Sequence, residues 1–214
     1  MATALGPAEL VDLAVMAKAP VPGFAKTRLI PALGASGAAR LQRELTLRTL
    51  HTLQRSQLGP TTLWCAPNPQ DRFFRALQRR HALTCLAQCD ADLGQRMWQA
   101  LTHYALRRPC LLVGTDCPAL TPSLLKEAAH ALTSGMDAVF VPVQDGGYAL
   151  VGLRVPLPSL FVGVQWSTEQ VMQQTRDRLR AAGARWHETE PLWDLDTPTD
   201  LARLNQLALE PLSC

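Results

Sequence analysis

The sequence has no long apolar run and no marked excess of either charge, and several familiar catalytic signatures are missing from it. Its longest uncharged stretch, Ser56 to Gln70, is polar and interrupted by Pro60, Pro67 and Pro69. A membrane-spanning helix needs ~20 apolar residues, so no membrane insertion is expected. Lys+Arg 21 against Asp+Glu 18 gives a formal net charge of +3, too little to argue by itself for a nucleic acid partner or a membrane surface. The N-terminus lacks a basic start: the first positive charge, Lys18, follows Glu9 and Asp12. No secretory signal is therefore expected, and the expected compartment is the cytoplasm, where the cysteines at 65, 85, 89, 110, 117 and 214 are expected as free thiols. Cys85 and Cys89 are four apart, but no second Cys or His pair completes a zinc set.

The absent motifs narrow the chemistry further. There is no G-x-S-x-G elbow of an α/β-hydrolase and no G-x-G-x-x-G after the first strand. The histidines at 51, 81, 103, 130 and 187 are scattered and form no triad. Gly23-Phe24-Ala25-Lys26-Thr27 lacks the glycine before lysine that a Walker A loop requires.

What is present is a chain of 214 residues, 47% hydrophobic and 18% charged, which is globular composition and enough length to bury a core without staples. One domain over residues 1–214 is expected. Strand-like and helix-like segments alternate. Strands are expected at Asp12 to Ala17, Thr61 to Ala66, Thr84 to Gln88, Cys110 to Gly114, Ala138 to Val143 and Tyr148 to Leu153. Helices are expected at Ser36 to Gln54, at Gln70 to Arg80, along the stripe Met97, Leu101, Tyr104 and Ala105, and after Thr121-Pro122. Ser167 and Gln170 match a capping box for a helix carrying Val171, Thr175, Leu179 and Ala182. Thr197-Pro198 opens a last helix containing Leu201, Leu204 and Leu207. This alternation predicts an α/β fold, a mainly parallel mixed sheet with helices on both faces.

Ligands bind such sheets beyond the carboxyl ends of the strands, and the unusual segments fall there. Lys18, Lys26 and Arg28 surround Gly23 in a loop that is either a solvated basic turn or a wrap for a polyphosphate. Asp116, in Gly114-Thr115-Asp116-Cys117-Pro118, follows a buried strand and is placed to hold Mg²⁺ or Mn²⁺. Thr121 already supplies the helix cap that would otherwise explain it. Cys117 has no neighbouring base and reads as a bystander. In Trp193-Asp194-Leu195-Asp196-Thr197-Pro198, strand alternation puts Asp194 and Asp196 on one face, so either can face the metal while Asp200 completes the helix cap. Asp145-Gly146-Gly147-Tyr148 reads as a hairpin turn or as a close approach of backbone to ligand. Trp166 and Trp193 read first as packing residues, with Trp166 the better functional candidate because it precedes a helix cap.

Lys18-Ala-Pro-Val-Pro-Gly-Phe-Ala-Lys26-Thr27-Arg28-Leu29 resembles the opening signature of an uncharacterised bacterial family described as GT-A glycosyltransferase-like and associated with radical-SAM or selenium-domain proteins. The likeness continues through Asp92 to Met97, Gly114 to Pro118, Asp145 to Tyr148 and Trp193 to Pro198, in order and over nearly the whole chain. It implies a GT-A/Rossmann-like three-layer α/β/α domain of the nucleotide-diphospho-sugar transferase superfamily, similar to the 2-phospho-lactate and molybdenum-cofactor guanylyltransferases. It also implies that Asp116 and Asp196 share a divalent metal. The opening loop departs from that pattern in lacking the Gly-Gly pair of many sugar nucleotidyltransferases.

Three functions follow as expectations. The first is a Mg²⁺- or Mn²⁺-dependent nucleotidyltransferase, with Lys18, Lys26, Arg28 and Asp116 as its catalytic set. Ala17, Gly23, Thr27, Gly94 and Thr115 would join the three basic residues around the nucleotide, and Asp145, Gly146, Gly147, Tyr148 and Trp166 would face a small phosphorylated or hydroxyl acceptor. The second is a glycosyltransferase using a nucleoside-diphosphate sugar. The third is a non-catalytic nucleotide-binding module.

Overall fold

The computed structural model describes residues 10–104 and 106–206; Glu9, Ala105, Leu207 and Cys214, named above, lie outside them. Seven strands form one sheet: β1 (Asp12–Lys18), β2 (Thr61–Ala66), β3 (Thr84–Ala87), β4 (Cys110–Val113), β5 (Ala138–Pro142), β6 (Tyr148–Leu153) and β7 (Trp186–Glu188). The helices are α1 (Ile30–Ser56), α2 (Arg72–His81), α3 (Leu93–Thr102), α4 (Pro122–Thr133), α5 (Val171–Ala181) and α6 (Pro198–Gln206). The strand order is β3-β2-β1-β4-β6-β5-β7, parallel except for β6, which runs against both β4 and β5.

Alternation along β1 explains the layers. Leu13, Val15 and Ala17 point into the core shared with α1, α2 and α4. Ala14 points the other way, to a second core with Trp64, Leu112 and Phe140 from the sheet and Met97 and Leu179 from α3 and α5. The central strands β4 and β5 are buried along their whole length, which is why they read as continuous apolar runs. A third, smaller cluster joins Leu29, Leu41 and Leu45 to Leu195, so the loop after β1, helix α1 and the segment before α6 are packed together.

Local expectations mostly hold, and the exceptions have physical reasons. Thr121 caps α4 by accepting from the Leu124 N–H at 3.2 Å, with Pro122 at the first helical position. The Ser167–Gln170 capping box does not form. Ser167 adopts φ 62, α5 begins at Val171, and the Met172 N–H donates at 2.8 Å to the Gly146 carbonyl, so the hairpin serves as the cap. Helix α3 stops at Thr102, before Tyr104, whose phenol shares a 3.1 Å hydrogen bond with Thr62 Oγ1. Strand β7 leaves no signal in the sequence: its three residues are half-buried and too few to show a period.

The order places the first three strands outward from β1 on one side and β4 on the other. The β1–β4 junction is therefore the point where the winding reverses, and a crevice opens beyond its carboxyl ends.

Candidate active site

Register brings the first two candidates together. β1 and β4 pair with Val15 beside Val113, so Lys18 and Asp116, three residues further along each chain, emerge at the same level. Beyond them the opening loop turns at Gly23 (φ 84) and again at Lys26, which holds φ 47 and ψ 48 despite its side chain. A left-handed lysine costs roughly 1–2 kcal/mol and persists only where its surroundings fix it. Here they do. The Lys26 side chain is 4% exposed, pairs with Asp116 at 2.6 Å, and donates from Nζ to the Leu195 carbonyl at 2.5 Å. The Leu195 N–H in turn donates to the Asp116 carbonyl at 2.8 Å. Buried Leu195 thus anchors the tail segment, and Lys26 ties that segment to the end of β4.

Two cavities meet at Asp116. One, of about 340 Å³, is basic and lined by Ala17, Lys18, Lys26, Thr27, Arg28, Thr115 and Asp196, with Phe24, Gln42, Gln88 and Arg96 completing its wall. The other, of about 280 Å³, is acidic, with Asp116, Asp145 and Asp194 among its lining residues beside Gly147, Tyr148 and Trp166. Among the described residues no Lys or Arg lines it.

Most of the expected donor set therefore shares the basic cavity, and most of the expected acceptor set shares the acidic one. Gly23 and Gly94 line neither of these cavities. Gly94 is buried at the start of α3, where an added Cβ would lie 2.4 Å from the Phe161 carbonyl oxygen and 2.7 Å from the Trp166 ring; its role is to let that loop close. Gly146 is turned beneath the loop before α5: with φ +88, its Cβ would stand 2.1 Å from the Glu169 carbonyl oxygen. Gly147 lines the acidic cavity, and its N–H donates to Asp145 Oδ1 at 2.9 Å. Asp194 and Asp196 do not share a face, because no strand forms there. Asp194 enters the acidic cavity and Asp196 the basic one, where it pairs with Arg28. Asp200 accepts from the N–H groups of Asp196 and Thr197 and closes the start of α6.

Four further residues belong to the site. Gln42 donates to Thr115 Oγ1 at 3.0 Å from inside α1, and Gln88 donates to the Trp64 carbonyl at 2.9 Å; both looked like ordinary helix or strand-end polar residues. Phe24, 68% exposed at the mouth of the basic cavity, carried a signal that could have been used: an aromatic next to glycine in a basic loop. Arg96 lay inside the quoted Asp92–Met97 string and now reaches the same cavity.

Charge explains the local chemistry. Burial raises the Asp194 carboxyl above the usual carboxylate range, and Asp145, Asp196 and Asp116 add to the effect. Burial likewise pushes the Cys117 thiol up to about 12, which suits a packing residue. The acidic groups supply oxygen donors only, the chemistry of Mg²⁺ or Mn²⁺. Among the described residues no three His, Cys, Asp or Glu gather into a ready-made cage. Mg²⁺ commonly binds through one or two carboxylates plus substrate phosphates, and Asp116 with Asp194 or Asp196 fits that pattern.

The model of a family of uncharacterized proteins conserved in bacteria, DUF2064, matches residues 49–168, more than half of the chain. The chain belongs to this family. The matched span of the DUF2064 protein holds Asp116 and the Asp145 hairpin. No curated protein matches the sequence. Among solved structures, a protein from Desulfovibrio desulfuricans G20, provisionally assigned as a nucleotide-diphospho-sugar transferase, is similar at TM-score 0.83 and 28% identity. That match covers 92% of this chain and 88% of the other. The 4-diphosphocytidyl-2C-methyl-D-erythritol synthase of Anaerococcus prevotii DSM 20548 shares the fold at TM-score 0.61 and 11% identity, over 92% and 96%. The inositol-1-phosphate CTP transferase of T. maritima does so at 0.59 and 12%, over 96% and 99%. The α/β fold is thus that of nucleotide-diphospho-sugar transferases and cytidylyltransferases. No helix among the described residues is long and apolar enough to cross a membrane.

Proposed function

We propose that this protein is a cytoplasmic, metal-dependent nucleotidyltransferase that moves a nucleoside monophosphate from a nucleoside triphosphate to a small acceptor. One observation carries the reading: a single exposed carboxylate, Asp116, forms the seam between a basic cavity and an acidic one. Lys18, Arg28 and Arg96 would offset the charge of the triphosphate, and Lys26 would turn from Asp116 toward it. Exposed Phe24 would lie under the base. Asp116, with Asp194 or Asp196, would hold Mg²⁺ or Mn²⁺, which supplies charge neutralisation on the phosphates. The acceptor oxygen would form a bond to the α-phosphorus while the bond to the bridging oxygen breaks and pyrophosphate leaves; the proton of a hydroxyl acceptor would pass to a carboxylate of the acidic cavity or to solvent.

Of the two acceptor classes expected, a hydroxyl suits the acidic cavity better than a phosphate. Its three carboxylates would repel an anion, and among the described residues no Lys or Arg lines it. The same carboxylates, with Trp166, would also suit the sugar of a nucleoside-diphosphate sugar, which supports glycosyl transfer as the second reading.

A thermal-shift panel with Mg²⁺ separates the readings. Saturating ligand should stabilise the fold by ~2–3 kcal/mol. A metal-dependent shift with one nucleoside triphosphate and none with UDP- or GDP-sugars supports nucleotidyl transfer; the reverse pattern selects glycosyl transfer. Equal shifts in chelator, with no turnover of any donor, would leave only a binding module, whereas turnover unaffected by Asp116→Asn would overturn the metal role given to Asp116.

A further inference from the structure

Arg28, Arg108, Arg154, Arg176, Arg180 and Arg185 each pair with a carboxylate. Arg40 and Arg43 of α1 and Arg72 and Arg80 of α2 have no hydrogen-bond or ion-pair partner among the described residues. Yet these four converge on one concavity of about 770 Å³, between the two helices and the Pro20–Pro22 loop. Among the described residues the one acidic residue lining it is Asp71, which caps α2 by accepting from the Phe73 N–H at 2.8 Å and leaves the groove with a net positive charge. Phe73 and Leu47 give the groove an apolar wall.

All four are exposed, so solvent screens their mutual repulsion, but their gathering around one groove leaves it with an excess of positive charge that an anion would offset. Guanidinium forks suit phosphate oxygens bidentately, and the groove has the volume of a small-molecule site rather than the extended track a polymer needs. We infer that this groove is a second binding site, distinct from the two cavities at Asp116, for a small molecule carrying two or more phosphate groups beside an apolar portion. Val21 lines both this groove and a cavity running back to Lys18 and Arg96, so an occupant would rest on the loop that carries the donor-site cations.

The test is calorimetric titration of inorganic tripolyphosphate into the Lys18→Ala/Arg28→Ala protein, in chelator and at ~0.15 M salt, where weak surface attraction is screened. Lys18 and Arg28 are exposed, so the background removes two of the four donor-cavity cations, Lys26 and Arg96 remaining, without disturbing the core. One saturable site is expected. Adding Arg43→Ala and Arg72→Ala should weaken it about tenfold or more, as should Arg40→Ala with Arg80→Ala, while melting stays unchanged. Citrate is the carboxylate arm: binding weaker than tripolyphosphate supports a phosphate ligand, whereas tighter binding of citrate overturns that assignment. No saturable binding, or binding that both pairs of substitutions leave intact, overturns the site.

Discussion

Replacing Lys26 with methionine tests how the tail segment is held and how the donor is bound. Methionine keeps the length and the apolar stem but removes the ammonium. A charge-assisted hydrogen bond to the Leu195 carbonyl is worth ~1.5–3 kcal/mol. The pair with Asp116 adds only ~0–1 kcal/mol, since that carboxylate is 54% exposed and regains water when left alone. The net loss should be about 2 kcal/mol, which for a chain of this size lowers Tm by ~4–8 °C. Lys26→Gly should recover part of the loss, because it releases left-handed strain of roughly 1–2 kcal/mol, less ~0.4–1 kcal/mol for the freer unfolded chain. Asp116→Ala should cost more than Asp116→Asn: alanine leaves a 4%-exposed ammonium with one carbonyl, whereas the asparagine amide oxygen can still accept. Urea unfolding at neutral pH measures all four variants. A Lys26→Met protein that is as stable as wild type and binds triphosphate equally well would refute both roles assigned to this residue.

Further outcomes follow from other contacts. Phe24→Ala should weaken nucleoside triphosphate binding by ~1–3 kcal/mol while leaving inorganic tripolyphosphate unaffected; equal loss for both ligands would deny stacking. Gly146→Ala should destabilise the fold by about 3 kcal/mol, because its Cβ meets the Glu169 backbone and its φ is positive; an unchanged melting curve would show that the hairpin moves freely. Glu188 accepts from Arg176 at 3.0 and 2.7 Å and from Trp186 at 2.9 Å, and these bonds hold its carboxyl below the usual range, the Arg176 bond first among them. A depressed folded value gives stability that is full above ~4.3 and is lost as pH falls through the folded value. The stability gap between wild type and Glu188→Gln should therefore be about 1 kcal/mol near neutrality and shrink in acid; a gap constant with pH would contradict it.

Positions whose local chemistry is self-sufficient were readable in one dimension. The buried runs Cys110–Val113 and Ala138–Pro142, the Thr121-Pro122 start of α4 and the glycines of the hairpin all announce themselves by composition. Three things did not, because each depends on distant partners. The cap of α5 is a carbonyl from Gly146, some 25 residues away, so the local Ser167–Gln170 pattern misled. The split of Asp194 from Asp196 arises because residues 193–196 form no strand, so the period-2 alternation does not apply; the segment is held instead by Leu195, packed against Leu29, Leu41 and Leu45 from distant elements. Gly94 sits at a helix start, and the reason for a glycine there is the close approach of the Phe161 carbonyl and the Trp166 ring, some 70 residues away.

The site's ion pairs also explain why a chain with so little net charge can suit charged substrates. Lys26 neutralises Asp116, and Arg28 neutralises Asp196. Each pair joins a prospective phosphate ligand to a prospective metal ligand. A triphosphate arriving alone would draw off the two cations and strand the carboxylates near Asp194 and Asp145; a divalent cation arriving alone would strand Lys26, which is nearly without solvent. Arriving together, they exchange both pairs at once and leave no charge uncompensated. Binding of metal and triphosphate should therefore be mutually reinforcing by the same factor in either order, as linkage requires. A triphosphate affinity that is the same with and without Mg²⁺ would break this argument at its first step.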